Sequence, residues 1–211
     1  MTSTALKSAL ADSPTLPRAR QSREERRQQI LDATLRCVRR SGFHGASMSD
    51  IAAEAKMSVG VIYRYFANKE AIIEAIVAND LAEMRAKFAE WDQTPDDQLL
   101  DTLLNTIDFA LDHKYGPDKS ALALEVLAEA ARNPRVAAIV QSADMQEREL
   151  GRSLCERLNP GCDRRRLDAR GEIISMLFDG MMIRAITHPD IDREALANDL
   201  RAVMKVLFIL K

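Results

Sequence analysis

Tyr63, Arg64, Tyr65 and Phe66 occupy one turn, with Asn68 and Lys69 close behind. Two phenolic hydroxyls, a guanidinium and an ammonium can all donate hydrogen bonds, and the two cations add charge. A phosphate backbone is recognised by such groups. Ser58, Val59, Gly60 and Val61 begin the same helix. Gly60 has no side chain, so backbone can approach a partner closely, and Val59 and Val61 could touch a thymine methyl. Ser47 and Ser49 open the preceding helix, where hydroxyls and free backbone N–H groups can take a phosphate. The competing reading makes the aromatics core residues of a small bundle. It suits Phe66 and Ile62. It suits Tyr63 and Tyr65 less, because three large residues in four positions cannot all face one core. Arg64 fits a base or phosphate contact, or a solvated face.

These residues need rigid elements to position them. Ser22 with Glu25, and Ser47 with Asp50, have capping-box spacing and begin two helices. In the first, Ile30, Leu31, Thr34, Leu35 and Val38 recur at helical spacing, and Gly42 is expected as its left-handed cap. In the second, Ile51, Ala52 and Ala55 form the inner face. "KMS" makes a turn, Ser58 caps a third helix to about Phe66, and Asn68 caps a fourth ending near Trp91. Further helices are expected at roughly 96–113, 118–131, 134–158, 163–187 and 192–209, separated by proline- and glycine-bearing breakers. No strand pattern competes. The fold class is all-α, with about nine helices and no internal repeat. Residues 1–21, with Pro14 and Pro17, read as a flexible arm bearing Arg18 and Arg20. Residues 22–68 read as a first domain and 69–211 as a larger second one.

Two short helices joined by a tight turn and braced by a longer one make a helix-turn-helix reader. Its second helix would lie in the major groove of double-stranded DNA, with the first crossing the backbone. Charge distribution agrees. Residues 1–70 carry 12 Lys and Arg against 7 Asp and Glu, whereas the remainder carries 18 against 25. A basic front and an acidic back suit a chain whose front alone meets a polyanion.

The stretch "ILDATLRCVRRSGFHGASMSDIAAEAKMSVGVIYRYFANKEAIIEAI", residues 30–76, resembles the tetracycline-repressor (TetR) family of bacterial regulators. Matching positions include the apolar helix, a glycine, a small hydroxyl residue, "IA", "A", "S", "G", then Tyr63, Phe66 and Lys69. The resemblance implies a homodimeric repressor of operator DNA, with a variable helical domain whose small-molecule inducer releases the DNA. It also implies phosphate contacts from Tyr63, Lys69 and Ser47, the hydroxyl residue opening the crossing helix.

The second domain carries its own signals. "EIISMLFDGMMIRAI", residues 172–186, is apolar nearly all round a helix and must be covered on several sides. The last helix is apolar as well. Two such helices from each of two chains would make a four-helix bundle, and Met182, Leu200, Met204 and Leu207 are its expected interface. The other side of the 172–186 helix would face an interior built with residues 96–158. Met84, Phe88, Trp91, Met145 and Met176 are candidate pocket residues, as methionine suits permissive apolar sites, though such residues also make ordinary core. Glu125 and Asp179 could orient a ligand, or could face solvent or a partner arginine.

Several classes are excluded or disfavoured. Cys37, Cys155 and Cys162 are odd in number and lack metal-ligand spacing, so neither disulfides nor a zinc site is expected. His44, His113 and His188 are isolated. There is no nucleophile-plus-base arrangement or glycine-rich phosphate loop, hence no cofactor and no enzyme. No apolar run reaches membrane-spanning length, and the N-terminus has no signal pattern, so a soluble cytoplasmic protein is expected. The functional expectation is a ligand-responsive repressor, and the family resemblance makes control of drug efflux a common role to expect. Lipid or acyl-group sensing is the alternative. A helical enzyme or a ligand-free architectural DNA binder are the readings of other classes.

Overall fold

A computed structural model describes residues 22–209, so the arm at 1–21, including Arg18 and Arg20, lies outside the described residues. The described residues form ten α-helices: α1 (Arg23–Gly45), α2 (Met48–Glu54), α3 (Val59–Tyr65), α4 (Lys69–Asp92), α5 (Asp96–Asn105), α6 (Ile107–Lys114), α7 (Pro117–Ala130), α8 (Pro134–Leu158), α9 (Arg164–Thr187) and α10 (Arg193–Ile209).

The first four helices start where side-chain caps allow. At α1 the Glu25 N–H donates to Ser22 Oγ at 3.0 Å, and the Ser22 N–H donates to the Glu25 carboxylate at 2.7 Å. Ser47 and Asp50 repeat the reciprocal pair at α2, at 3.1 and 2.9 Å. Ser58 caps α3, and Asn68 accepts the Ala71 N–H at 2.9 Å to open α4. Each cap satisfies donors that a helix start otherwise leaves without partners. Lys56, at φ 54°, makes the left-handed turn between α2 and α3.

Two expectations need correction. Gly42 does not end α1. Its φ of 70° and ψ of 166° form a kink, after which one more turn runs to Gly45. The helix expected over 96–113 is split at Thr106, whose hydroxyl donates back to the Leu103 carbonyl at 2.7 Å. The Thr106 backbone, at φ −88° and ψ 1°, leaves the helical region there and divides the run into α5 and α6.

Two hydrophobic clusters result. The first joins α1–α4 through Ile30, Ile51, Ile62 and Ile72, all 0% exposed, and extends to Leu122 and Val126 of α7 and Val136 of α8. The second is built from α5, α6 and α8–α10, around Leu99, Leu103, Leu154, Leu167 and Met204. Helix α4 has 24 residues, about 36 Å at about 1.5 Å per residue. Its N-terminal half enters the first cluster, and Phe88 and Trp91 near its end pack on the second. No helix among the described residues is long and apolar enough to cross a membrane.

Candidate nucleic-acid interface and ligand cavity

Helix α3 is anchored by Ile62 and Phe66, which are buried against α1, α2 and α4. Fixing them turns the opposite face outward. Ser58, Val59, Gly60, Tyr63 and Arg64 are exposed. Val59 and Gly60 stand one turn from Tyr63 and Arg64, so the four share a face. A Cβ added at Gly60 would meet nothing within 4 Å. Val61 is half-buried, and Ser47 and Ser49 are exposed at the start of α2 with their hydroxyl oxygens 2.9 Å apart.

Two candidate contacts differ from expectation. The Tyr65 side chain is half-buried and packs against the first cluster, because it follows Ile62 by three positions and shares its face. The Lys69 ammonium donates to the carbonyls of Phe43 and His44, at 2.9 and 3.3 Å, and lies 4.7 Å from the centre of the Phe43 ring. It therefore ties the end of α1 to the start of α4. Arg36 and Arg40 are also engaged, pairing with Glu54 at 2.7 and 3.3 Å and holding its carboxyl below the usual range.

Glu125 is corrected likewise. It does not line the cavity. Its carboxylate accepts the Phe43 N–H at 2.9 Å, beside the Gly42 kink. Next to it, the buried Glu129 accepts from Arg132 at 2.8 Å and Asn133 at 3.2 Å, with His44 at 3.8 Å. Burial pushes the Glu129 carboxyl up, but these donors outweigh it and hold the carboxyl below its ordinary value. Helix α7 thus grips the turn that leads into α2.

The second region contains a cavity of about 600 Å³, within the range of small-molecule sites. Met84, Phe88 and Trp91 of α4 line it, with Met145 of α8 and Asp179 of α9. The Phe88 and Trp91 rings meet edge to face, with centres 4.9 Å apart. Sequence reasoning missed Phe109, Phe178, Arg148 and Arg152, which also line it. Phe178 was already visible in the apolar run at 172–186. The arginines were legible only as a pair four positions apart. Cys155 lies on the wall, and burial pushes its thiol up to about 11. It is therefore a neutral wall group.

The apolar face of α9 divides differently from expectation. Ile174 and Phe178 face the cavity, whereas Met176 is 59% exposed on the opposite side together with Ile173, Ile183 and Ile186. Met176 is therefore not a pocket residue. On α10, Met204 lines the cavity and Leu200 is buried within the chain, as is Met182 of α9. Leu207 packs partly against the second cluster. The residues left bare on α10 are Val203, Val206 and Ile209. Three of the four expected interface residues, Met182, Leu200 and Met204, are thus core, and Leu207 is half-buried.

Among the described residues no group of His, Cys, Asp and Glu could hold a metal. A helix-turn-helix head, a long connecting helix and a helical domain with an internal cavity define a two-part bacterial regulator. Residues 30–76 match the bacterial regulatory proteins of the tetR family, and residues 94–207 match the tetracyclin repressor-like C-terminal domain. The chain belongs to this family. It is 34% identical over 119 residues to the HTH-type transcriptional regulator UidR of Escherichia coli K12, covering 56% of this chain and 59% of that protein. Among solved structures it is similar to Salmonella enterica GusR, with a TM-score of 0.73 at 24% identity over 89% of this chain and 97% of that one. Bacillus subtilis FadR in complex with stearoyl-CoA is similar too, with a TM-score of 0.69 at 17% identity over 86% and 97%.

Proposed function

We propose that the protein is a transcriptional repressor. It binds operator DNA as a homodimer through residues 22–68 and is released by a small molecule held in the helical domain, residues 69–211. The observation that carries the reading is the exposed face of α3. Gly60, in the first turn of α3, has nothing within 4 Å of where a Cβ would stand, so this face leaves room for close approach of a DNA groove. Ser58, Val59, Gly60, Val61 and Arg64 then address the groove, and Tyr63, Ser47 and Ser49 address the phosphates. Tyr65 and Lys69 act mainly by holding α3 and α4 in place.

Support for the homodimer comes from the bare residues Ile173, Met176, Ile183 and Ile186 on α9 with Val203, Val206 and Ile209 on α10. A contiguous strip of this kind marks an interaction surface, and a second copy supplies the same strip by two-fold symmetry. Dimerisation also sets two reading heads at the spacing of successive major grooves, about 34–36 Å.

Helix α4 joins the two functions, since Lys69 holds the end of α1 and Trp91 lines the cavity. A ligand that displaces α4 at Phe88 would tilt the rod and move the head. Linkage then requires that operator and ligand weaken each other by the same factor. The test is anisotropy of labelled DNA from upstream of its own gene. Wild-type protein should bind with an affinity that falls steeply with salt. Tyr63→Ala should lose at least tenfold. Undiminished affinity in Tyr63→Ala would remove α3 from the groove.

A further inference from the structure

We infer, resting on the reading of this cavity as the effector site, that the ligand enters and leaves through the seam between α8 and α9, and that ion pairs across the seam gate the passage. The residues lining the cavity are not equally open to water. Those from α4, α5, α6 and α10 are buried or half-buried, among them Met84, Trp91, Leu103, Phe109 and Met204. Among the described residues, every lining side chain that is exposed lies on α8 or α9: Asp144, Met145, Arg148, Glu149, Asp168 and Asp179. The cavity therefore meets solvent along these two helices.

The seam is spanned by two rungs. Arg148 of α8 pairs with Glu172 of α9, and one turn further along Arg152 reaches Asp168 at 4.0 Å. The helices are antiparallel, so four residues forward on α8 match four residues back on α9. Gly151 lies between the rungs on α8, and Gly171 between them on α9, and both line the cavity. A Cβ added at either would meet nothing within 4 Å. The seam is thus bridged at its rungs by long side chains and left empty between them. Opening it requires an arginine to swing, not backbone to move.

The rungs can let go without stranding charge. The Arg148 and Glu172 side chains are 44% and 40% exposed, and pairs so open to water hold weakly. Each arginine also has carboxylates on its own helix. Arg148 keeps Asp144 at 2.7 Å, and Arg152 keeps Glu149 and, at 3.5 Å, Glu156. Asp168 keeps Arg164 of α9 at 3.9 Å. An open seam therefore leaves both arginines and Asp168 partnered, and the half-exposed Glu172 turns to water.

N-phenyl-1-naphthylamine, an uncharged apolar dye that accepts energy from tryptophan, tests this. It is mixed with the full chain in stopped flow, and transfer from Trp91, the only tryptophan and a cavity residue, is followed. Gly151→Leu with Gly171→Leu should slow association and dissociation alike by about tenfold and leave affinity nearly unchanged, because a gate acts on passage in both directions. Glu172→Gln should speed both by about two- to fivefold, the effect of removing one weak pair. Added salt should speed the wild-type chain in the same way. Unchanged rates in the glycine variant would overturn the route. A change in dissociation alone would overturn it too, by making the two positions contacts of the bound dye. Rates in Glu172→Gln equal to wild type would overturn the gating. If the dye took no energy from Trp91, the effector-site reading would fall, and this inference with it.

Discussion

In the head, Ile30, Ile51 and Ile62 are fully buried, and the outward face of α3 is left to Ser58, Gly60, Tyr63 and Arg64. In the larger domain, α9 leaves Ile173, Met176, Ile183 and Ile186 exposed on one side, and its other side faces an open cavity of about 600 Å³. Full burial of these side chains fixes the head around one core. A cavity and a bare apolar strip leave the larger domain with surface for the second copy and the ligand proposed above. The same chain thus sets a closed head beside a domain with surface left over.

The comparison is most severely tested on the bare strip. Ile183→Glu together with Val206→Glu should turn dimers into monomers by light scattering, and should reduce operator affinity by at least a hundredfold. Persistence of dimers would mean that another surface pairs the chains. Next in size is the contrast in core packing. Ile62→Ala in the head should cost about 2–5 kcal/mol in urea unfolding, the usual range for a buried large-to-small change. Phe178→Ala on the cavity wall should fall below the ordinary loss of about 3–5 kcal/mol for a phenylalanine, because one side of its ring already lacks neighbours. Equal losses at the two sites would remove the distinction between packed head and open sensor.

The junction between the regions gives a pH-dependent effect. Glu129 has its carboxyl held below the ordinary 4.5 by Asn133, Arg132 and His44. A depressed folded-state value stabilises the fold above the unfolded value, and the contribution is lost as pH falls through the folded one. Wild-type protein should therefore lose stability as pH drops below about 4.5, and Glu129→Gln should show a shallower slope there. Identical slopes would mean that the donors around Glu129 contribute nothing. The smallest expected change is Asn68→Ala. Loss of the α4 cap should cost about 1 kcal/mol, read as a small shift in the urea midpoint with little change in DNA affinity.

Caps and helical periods were legible because they are local. Ser22, Ser47, Ser58 and Asn68 each bond within three residues of themselves, so their roles follow from spacing. Ile62 and Phe66 were read as inward-facing for the same reason. Residues that serve distant partners were read less well. Glu125 was a pocket candidate, yet its hydrogen bond goes to Phe43, 82 positions away. Lys69 was assigned to phosphate, yet carbonyls 25 and 26 positions back take up its ammonium.

What the sequence by itself determined is the helices apart from the break at Thr106, the reading head and the presence of two unusually apolar helices near the end. What only the tertiary structure decided is how those two helices share their surfaces. Met204 and Leu200 turn inward and Val203 and Val206 outward. Phe178 meets the cavity, and Met176 on the same helix is left bare. Periodicity says that a residue lies on a given face of a helix. A helix that is apolar nearly all round offers little polar face to orient it, so packing against α5–α8 had to choose.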